Sequence, residues 1–288
     1  MRKRNVCAFA AVLLLISGFA AAETEAPAPE RVQVPIIMYH SLAGRGKSTA
    51  ISSEAFEGDL RYLRETGYEA VTLTALVDFV HHGKALPEKP VVLTFDDGYY
   101  NNYSLGLPLV KAYNTPIVVS VIGKDTEIWS GIPSADEKNG HLTWNQIREM
   151  AETGLVEIAN HTWDLHKEAA GRKGVAIKPG EDRAQYGNML REDVLRLQEN
   201  LARNSGVSPL GFTYPFGRYC GEAAEELVQM GFSVTLACHE GVNTLIQGDK
   251  SCLFELCRYN RTPERSIKAI LETIECAHEK KTKSKIKK

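Results

Sequence analysis

The chain has 288 residues, with 34 Lys+Arg against 36 Asp+Glu and a net charge of −2. That balance excludes the broad basic surface of a nucleic-acid binder. No apolar stretch is long enough to be read as a transmembrane span.

Residues 1–22 read as an export signal. Arg2, Lys3 and Arg4 make a basic start, Val6 to Phe19 an apolar run, and Ala20-Ala21-Ala22 a small-residue cleavage site. Export to the periplasm or out of the cell is therefore expected. Removing the three basic residues leaves 31 Lys+Arg against 36 Asp+Glu, a net charge of −5. Cys7 leaves with the signal. Cys220, Cys238, Cys252, Cys257 and Cys276 remain, an odd set with no CxxC spacing. A cysteine zinc site is not expected, and the spacing does not reveal which cysteines pair.

Residues 23–33, "ETEAPAPERVQ", form a Pro/Ala linker, and a single domain over 34–279 follows. "VPIIMYH" reads as a strand. "SEAFEGDLRYLRETG" places Phe56, Leu60 and Leu63 at helical spacing and stops at a glycine. "EAVTL" is a strand, "ALVDFVHHG" a helix, and "PVVLTFDDG" a strand leading to a helix through "LPLVKAYN". "PIVVSVIG" precedes the helix "TWNQIREMAETG", and "VEIANHT" precedes the helix "NMLREDVLRLQENLARNSG". "GFTYPFG", the helix "GEAAEELVQMG" and the strand "SVTLAC" come next. A last helix is predicted from Thr262-Pro263. The tail "KKTKSKIKK" (280–288), six lysines in nine residues, is expected to be a solvated, disordered end.

Strands alternating with helices predict a parallel sheet under helices. About seven such units over roughly 250 residues suit a distorted (β/α) barrel, with an open doubly wound sheet as the alternative. The absence of a glycine-rich loop after any strand argues against nucleotide binding.

In such a barrel the functional groups lie at the carboxyl ends of the strands. The first strand ends at Tyr39-His40-Ser41 and another at Asp96-Asp97-Gly98. "VEIAN" runs into His161, with His166 five residues on, and "GFTYPFG" ends at Tyr214-Pro215-Phe216-Gly217. Residues five apart on a helix diverge by about 140°. His161 and His166 can therefore share one ion only from a strand end and turn. Two histidines and one aspartate leave positions open for water and substrate, as hydrolytic zinc sites require. The other aspartate of the pair is then available to take a proton. The bland alternative for Asp96-Asp97, an Asp-Gly turn with a helix cap, accounts for one carboxylate but not two.

"LTFDDG", "HTWDLH" and "YPFG", in that order and supported by "IIMYHSL", resemble the polysaccharide deacetylase family (carbohydrate esterase family four). They look most like its poly-N-acetylglucosamine deacetylase branch. The resemblance spans about residues 34–260. It implies a metal-dependent hydrolase that removes N-acetyl groups from an amino-sugar polymer, using a divalent metal and a water it activates. Zinc suits the ligand set. By position, Asp96 matches the general base, Asp97, His161 and His166 match the metal ligands, and the Phe216 N–H matches an oxyanion donor. Tyr214, Pro215 and Phe216 are read as substrate-contacting. Two features depart from the family: Thr213 stands where many members have arginine, and the late Asp-Trp and Leu-x-His motifs are missing.

His40 is the expected general acid, from its strand-end position and its resemblance to the branch's "MYH" motif, with His239 as its rival. Asp164 is a candidate for orienting a ligand histidine. If the aperiodic stretch 167–186 lines a groove, Trp163 could stack on a sugar. The substrate is expected to be an exopolysaccharide, peptidoglycan or chitin-like polymer, and the protein a monomer. Two other functions fit the same scaffold: a non-catalytic carbohydrate-binding protein and a deacylase of a small acylated compound.

Overall fold

The structure, a computed structural model, describes residues 28–44 and 48–286, with side chains through residue 277. The expected export signal lies outside these residues. The chain first forms β1 (Arg31–Val34) and β2 (Ile36–Tyr39), then α1 (Ser53–Thr66), β3 (Glu69–Ala70), α2 (Leu73–His82) and β4 (Pro90–Phe95). A π-helical turn, Asn102–Gly106, leads into α3 (Leu107–Tyr113) and β5 (Ile117–Val121). Next come α4 (Gly123–Ser130), α5 (Trp144–Glu152), β6 (Val156–Asn160) and the small hairpin β7 (Glu168–Ala169) and β8 (Arg172–Lys173). The chain finishes with α6 (Arg183–Ser205), β9 (Gly211–Thr213), α7 (Gly221–Gln229), β10 (Val234–Leu236), β11 (Asn243–Ile246), β12 (Tyr259–Asn260) and α8 (Ile267–Ile286).

Seven strands pair in the order β10-β9-β6-β5-β4-β2-β12, all parallel, and β3 adds to the start of β4. The curled sheet is the distorted (β/α) barrel that the alternation predicts. Its two edges meet through one segment. Leu256 bridges Leu236 of β10, and three residues later β12 pairs with β2. The antiparallel pair β1–β11 straps the base.

Side-chain alternation divides the barrel into an apolar floor and a polar mouth. Ile36, Val92, Val118, Ala159, Val234 and Leu236 pack together, and Leu73, Leu76 and Phe79 of α2 belong to the same cluster. One step further along the strands the same faces carry Thr94, Asp96 and Ser120, and the Ser120 and Thr213 hydroxyls lie 2.7 Å apart. The outer faces bury Ile37, Leu93, Phe95 and Val119 against Phe56, Leu60 and Leu63 of α1 and Ile147 of α5. These helices begin where their caps dictate. Ser52 Oγ accepts from Ala55 N–H, and Thr143 with Gln146 forms a reciprocal capping box.

Several elements differ from the sequence reading. The strand "EAVTL" shrinks to β3 because Thr72 caps α2. The linker ends early, since Arg31–Gln33 already pair with β11. Helix α4, with only a short amphipathic pattern, starts directly after β5. Helix α6 starts at Arg183, inside the stretch read as aperiodic, capped by Asp182. Helix α8 starts at Ile267 rather than at Thr262-Pro263. Those two residues open a turn whose carbonyls take the Arg261 guanidinium, and Ser266 Oγ accepts from Ala269 N–H. The basic run expected to be disordered continues α8 to Ile286, and lysine is a good helix former with no breaker in the way.

Candidate active site

The β4 strand runs straight into the Asp96-Asp97 pair. Asp97 and Gly98 both take positive φ, 72° and 64°, which turns the chain sharply and sends the two carboxylates in different directions. Asp96 continues the inward face of β4 and is buried. Its counter-ion is Arg258, on the segment that closes the barrel. Nη1 donates to Oδ1 at 2.7 Å and Nη2 to Oδ2 at 2.8 Å, a bidentate pair with the arginine 0% exposed. Arg258 also donates to the Ala237 carbonyl and to Thr94 Oγ1. Burial works against the ionised form of Asp96, but the guanidinium overrides it and holds the carboxyl well below the usual range.

Asp97 faces the histidines. Its Oδ1 lies 3.7 Å from His161 Nε2 and 3.5 Å from His166 Nε2, and the three donor atoms lie within 4.8 Å of one another. The other oxygen, Oδ2, accepts from Tyr99 Oη at 2.9 Å. The carbonyl of Asp97 accepts from His141 Nδ1. Burial opposes ionisation of Asp97, yet His161, His166 and His40 together keep its carboxyl below the ordinary value. His161 Nδ1 donates to the Thr213 carbonyl at 2.8 Å, which fixes the tautomer and leaves Nε2 with its lone pair toward Asp97. Burial, and then the neighbouring His166, push His161 down to about 4, so its ring is neutral at neutral pH.

His40 completes the mouth from the end of β2, close enough to both carboxylates to favour their ionised forms. Its buried Nδ1 has no hydrogen-bond partner among the described residues. Its backbone is held from the segment after the aspartates. Asn102 Nδ2 donates to the His40 carbonyl at 2.9 Å, and Asn101 Oδ1 accepts from Leu42 N–H at 2.7 Å. The rival, His239, is exposed, and its ring lies 6.2 Å from Tyr219.

The "YPFG" turn divides in role. Tyr214 and Pro215 are buried, so their side chains are unavailable to a substrate; this corrects their reading as substrate-contacting residues. Phe216 is 42% exposed, takes φ 57°, and its ring centroid lies 4.4 Å from that of His166. Its N–H donates to no acceptor among the described residues. Trp163 is largely enclosed: it is 7% exposed, with Arg196 at 4.1 Å over its ring, and only its edge reaches the cavity between α4 and α6. Asp164 turns to Lys124 and Lys167, at 3.0 and 2.7 Å, rather than to a histidine. The first part of the stretch 167–186 folds as the β7–β8 hairpin, which packs against the turn. A Cβ on Gly174 would come within 2.8 Å of the Pro215 carbonyl, and Lys173 Nζ lies 5.3 Å from the Phe216 ring centroid.

Arg258 is the site residue that sequence reasoning missed. It stands in "LFELCRYN", 162 residues from its partner. Glu255 puts a second charge in the same short run, so no local pattern singles out Arg258.

Residues 83–235 match the family model described as polysaccharide deacetylase. The chain belongs to the polysaccharide deacetylase family. Over 218 residues it is 31% identical to the poly-beta-1,6-N-acetyl-D-glucosamine N-deacetylase of Escherichia coli (strain K12), covering 69% of this chain and 32% of that protein. It therefore spans about a third of that curated relative. A de-N-acetylase from Aggregatibacter actinomycetemcomitans superposes with a TM-score of 0.72 at 28% identity, covering 84% of this chain and 99% of that one. IcaB from Ammonifex degensii gives 0.68 at 29% identity, covering 81% and 93%.

In this member of the polysaccharide deacetylase family the Asp97, His161 and His166 donors suit a divalent cation. One imidazole is held neutral in a fixed tautomer and the carboxylate is kept ionised. The carboxylate's Oδ1 and both imidazole Nε2 atoms converge on one point. The five cysteines of the described chain are free, and none belongs to this cluster.

Proposed function

We propose that the chain is an exported, metal-dependent hydrolase that removes N-acetyl groups from an N-acetylglucosamine-type polysaccharide. The observation that carries this reading is the convergence of Asp97, His161 and His166 beside a second carboxylate, Asp96, held ionised by Arg258. The named relatives are deacetylases of such a polymer or de-N-acetylases. A divalent cation at the three donors, with zinc favoured by N and O ligands, would polarise the acetamide carbonyl and acidify an adjacent water.

The chain's own groups have distinct tasks. Each Asp96 oxygen spends one lone pair on Arg258 and keeps another, so the carboxylate accepts the proton of the attacking water. The Phe216 N–H, left without an acceptor, donates to the developing oxyanion. His40 delivers a proton to the departing amine, which otherwise leaves as a very poor leaving group. A non-catalytic carbohydrate binder draws slight support from the missing late motifs; for the absent family arginine, Arg258 supplies a guanidinium to Asp96 from the segment that closes the barrel.

Export rests on the basic start and apolar run of residues 1–22. Among the described residues, no helix is long and apolar enough to cross a membrane. The test is acetate release from N-acetylglucosamine oligomers, peptidoglycan and O-acetylated xylan, before and after chelation and after zinc is restored. Release from the oligomers that stops on chelation and returns with zinc is the expected result. Release unaffected by chelation, or none from any N-acetylated substrate, would overturn the proposal.

A further inference from the structure

We infer that Asp193, on α6, is the positioning residue that shapes the loop Asn160–His166 and thereby sets the affinity and geometry of the metal site. This rests on reading Asp97, His161 and His166 as metal ligands. Two of those ligands sit on this one loop, with Thr162 at φ 73° between them. The loop has no regular hydrogen-bond ladder of its own, so its shape depends on where its backbone polar groups find partners.

The His161, Thr162 and Leu165 amides go to Val121 O, Asn160 Oδ1 and Thr162 Oγ1, and the middle of the loop is held by two helices on either side. The first turn of α4 takes the carbonyls: Gly123 N–H donates to Thr162 O at 3.0 Å and Lys124 N–H to Trp163 O at 2.9 Å. Asp193 takes the amides. Trp163 N–H donates to Oδ1 at 2.8 Å and Asp164 N–H to Oδ2 at 2.9 Å. These two amides lie midway between the ligand histidines. The same helix holds the Trp163 ring through Arg196, three residues along, while the ring's other contact is so close that a Cβ on Gly123 would come within 2.4 Å of it.

The chemistry of this grip calls for a carboxylate. Two adjacent N–H donors need two acceptor oxygens. An amide would set its own NH₂ against one of them, and a hydroxyl would reach only one. The carboxylate is costly where it sits, because burial raises Asp193 to about 6 despite the two backbone donors. A group held against that cost is explained by what it holds. Removing it leaves two enclosed amides unpaired, and the loop relaxes to satisfy them. Partners that orient metal ligands in this way typically change metal affinity about 10–100-fold.

The test uses the full chain loaded with cobalt(II), whose visible spectrum reports ligand geometry, together with zinc affinity from competition with a chromophoric chelator. Asp193→Ala should bind zinc about 10–100-fold more weakly and shift the cobalt spectrum. Asp193→Asn, which keeps one acceptor, should fall between it and wild type, and serves if the alanine variant does not fold. Arg196→Ala is the control: it loosens the Trp163 ring but keeps both amide bonds, and should leave affinity and spectrum at wild-type values. Wild-type affinity and spectrum in the folded Asp193 variants would overturn the inference, as would an Arg196→Ala effect of equal size. A wild-type protein that binds neither ion would instead overturn the metal-site reading itself.

Discussion

The floor of the barrel and its mouth are built from the same strands and obey different rules. The floor is aliphatic and densely packed, with Val92, Val118, Val234 and Leu236 at 0% exposure. Toward their carboxyl ends the barrel strands lead into buried charge, an unpartnered histidine nitrogen and strained backbone. Asp97, Thr162 and Phe216, three of the non-glycine residues at positive φ, all lie at the mouth. The floor stabilises the fold, and part of that stability offsets the cost of a mouth arranged for chemistry.

The largest effect should come from dividing the ion pair at the boundary between them. Arg258→Ala leaves Asp96 buried and uncompensated, and should cost about 3–5 kcal/mol with loss of turnover. Replacing both partners, as Arg258→Met with Asp96→Leu, should recover most of the stability and none of the turnover. Urea unfolding and acetate release measure the two halves. A double variant as unstable as the single one would mean that the pair matters for packing alone.

Val118→Ala, in the floor, should cost about 2 kcal/mol while leaving metal content and turnover per folded molecule unchanged. A change in zinc affinity there would break the separation between the two regions.

A third prediction follows pH. The folded-state value of Asp193, about 6, lies above the ordinary carboxylate value, so the folded state holds this proton more tightly than the unfolded chain does. The resulting stability is present at low pH and is lost as pH rises through about 6. In metal-free protein, wild type should lose about 2 kcal/mol relative to Asp193→Asn between pH 4 and 7, a figure reduced for partial exposure. Parallel stability–pH curves would contradict it. The smallest stability effect belongs to Phe216→Ala, under about 1 kcal/mol for a half-exposed ring, with the apparent substrate affinity falling all the same.

Much of this division was legible in the sequence. Strand ends are marked by abrupt changes from aliphatic to polar residues, which places Asp96, Asp97, His161 and His40 on one edge before any coordinates. What was not legible depended on contacts distant in sequence. Arg258 immediately precedes β12, a strand too short to show a period, and only barrel closure brings it to Asp96. Trp163 reads as an exposed loop aromatic because nothing local announces that Gly123 and Arg196 will enclose it. Thr262-Pro263 offers good helix-start chemistry, but the buried Arg261 side chain claims the Thr262 and Arg265 carbonyls for a turn.

The account stands on a division of labour between two adjacent aspartates, and one side-by-side measurement tests it: zinc content and acetate release for Asp96→Asn and Asp97→Asn. Asp96→Asn leaves the three donor atoms intact and should retain zinc at near wild-type stoichiometry while turnover is lost. Asp97→Asn removes a donor and should lose the metal along with activity. Equal zinc content in the two folded variants would contradict the assignment of Asp97 as ligand and Asp96 as base.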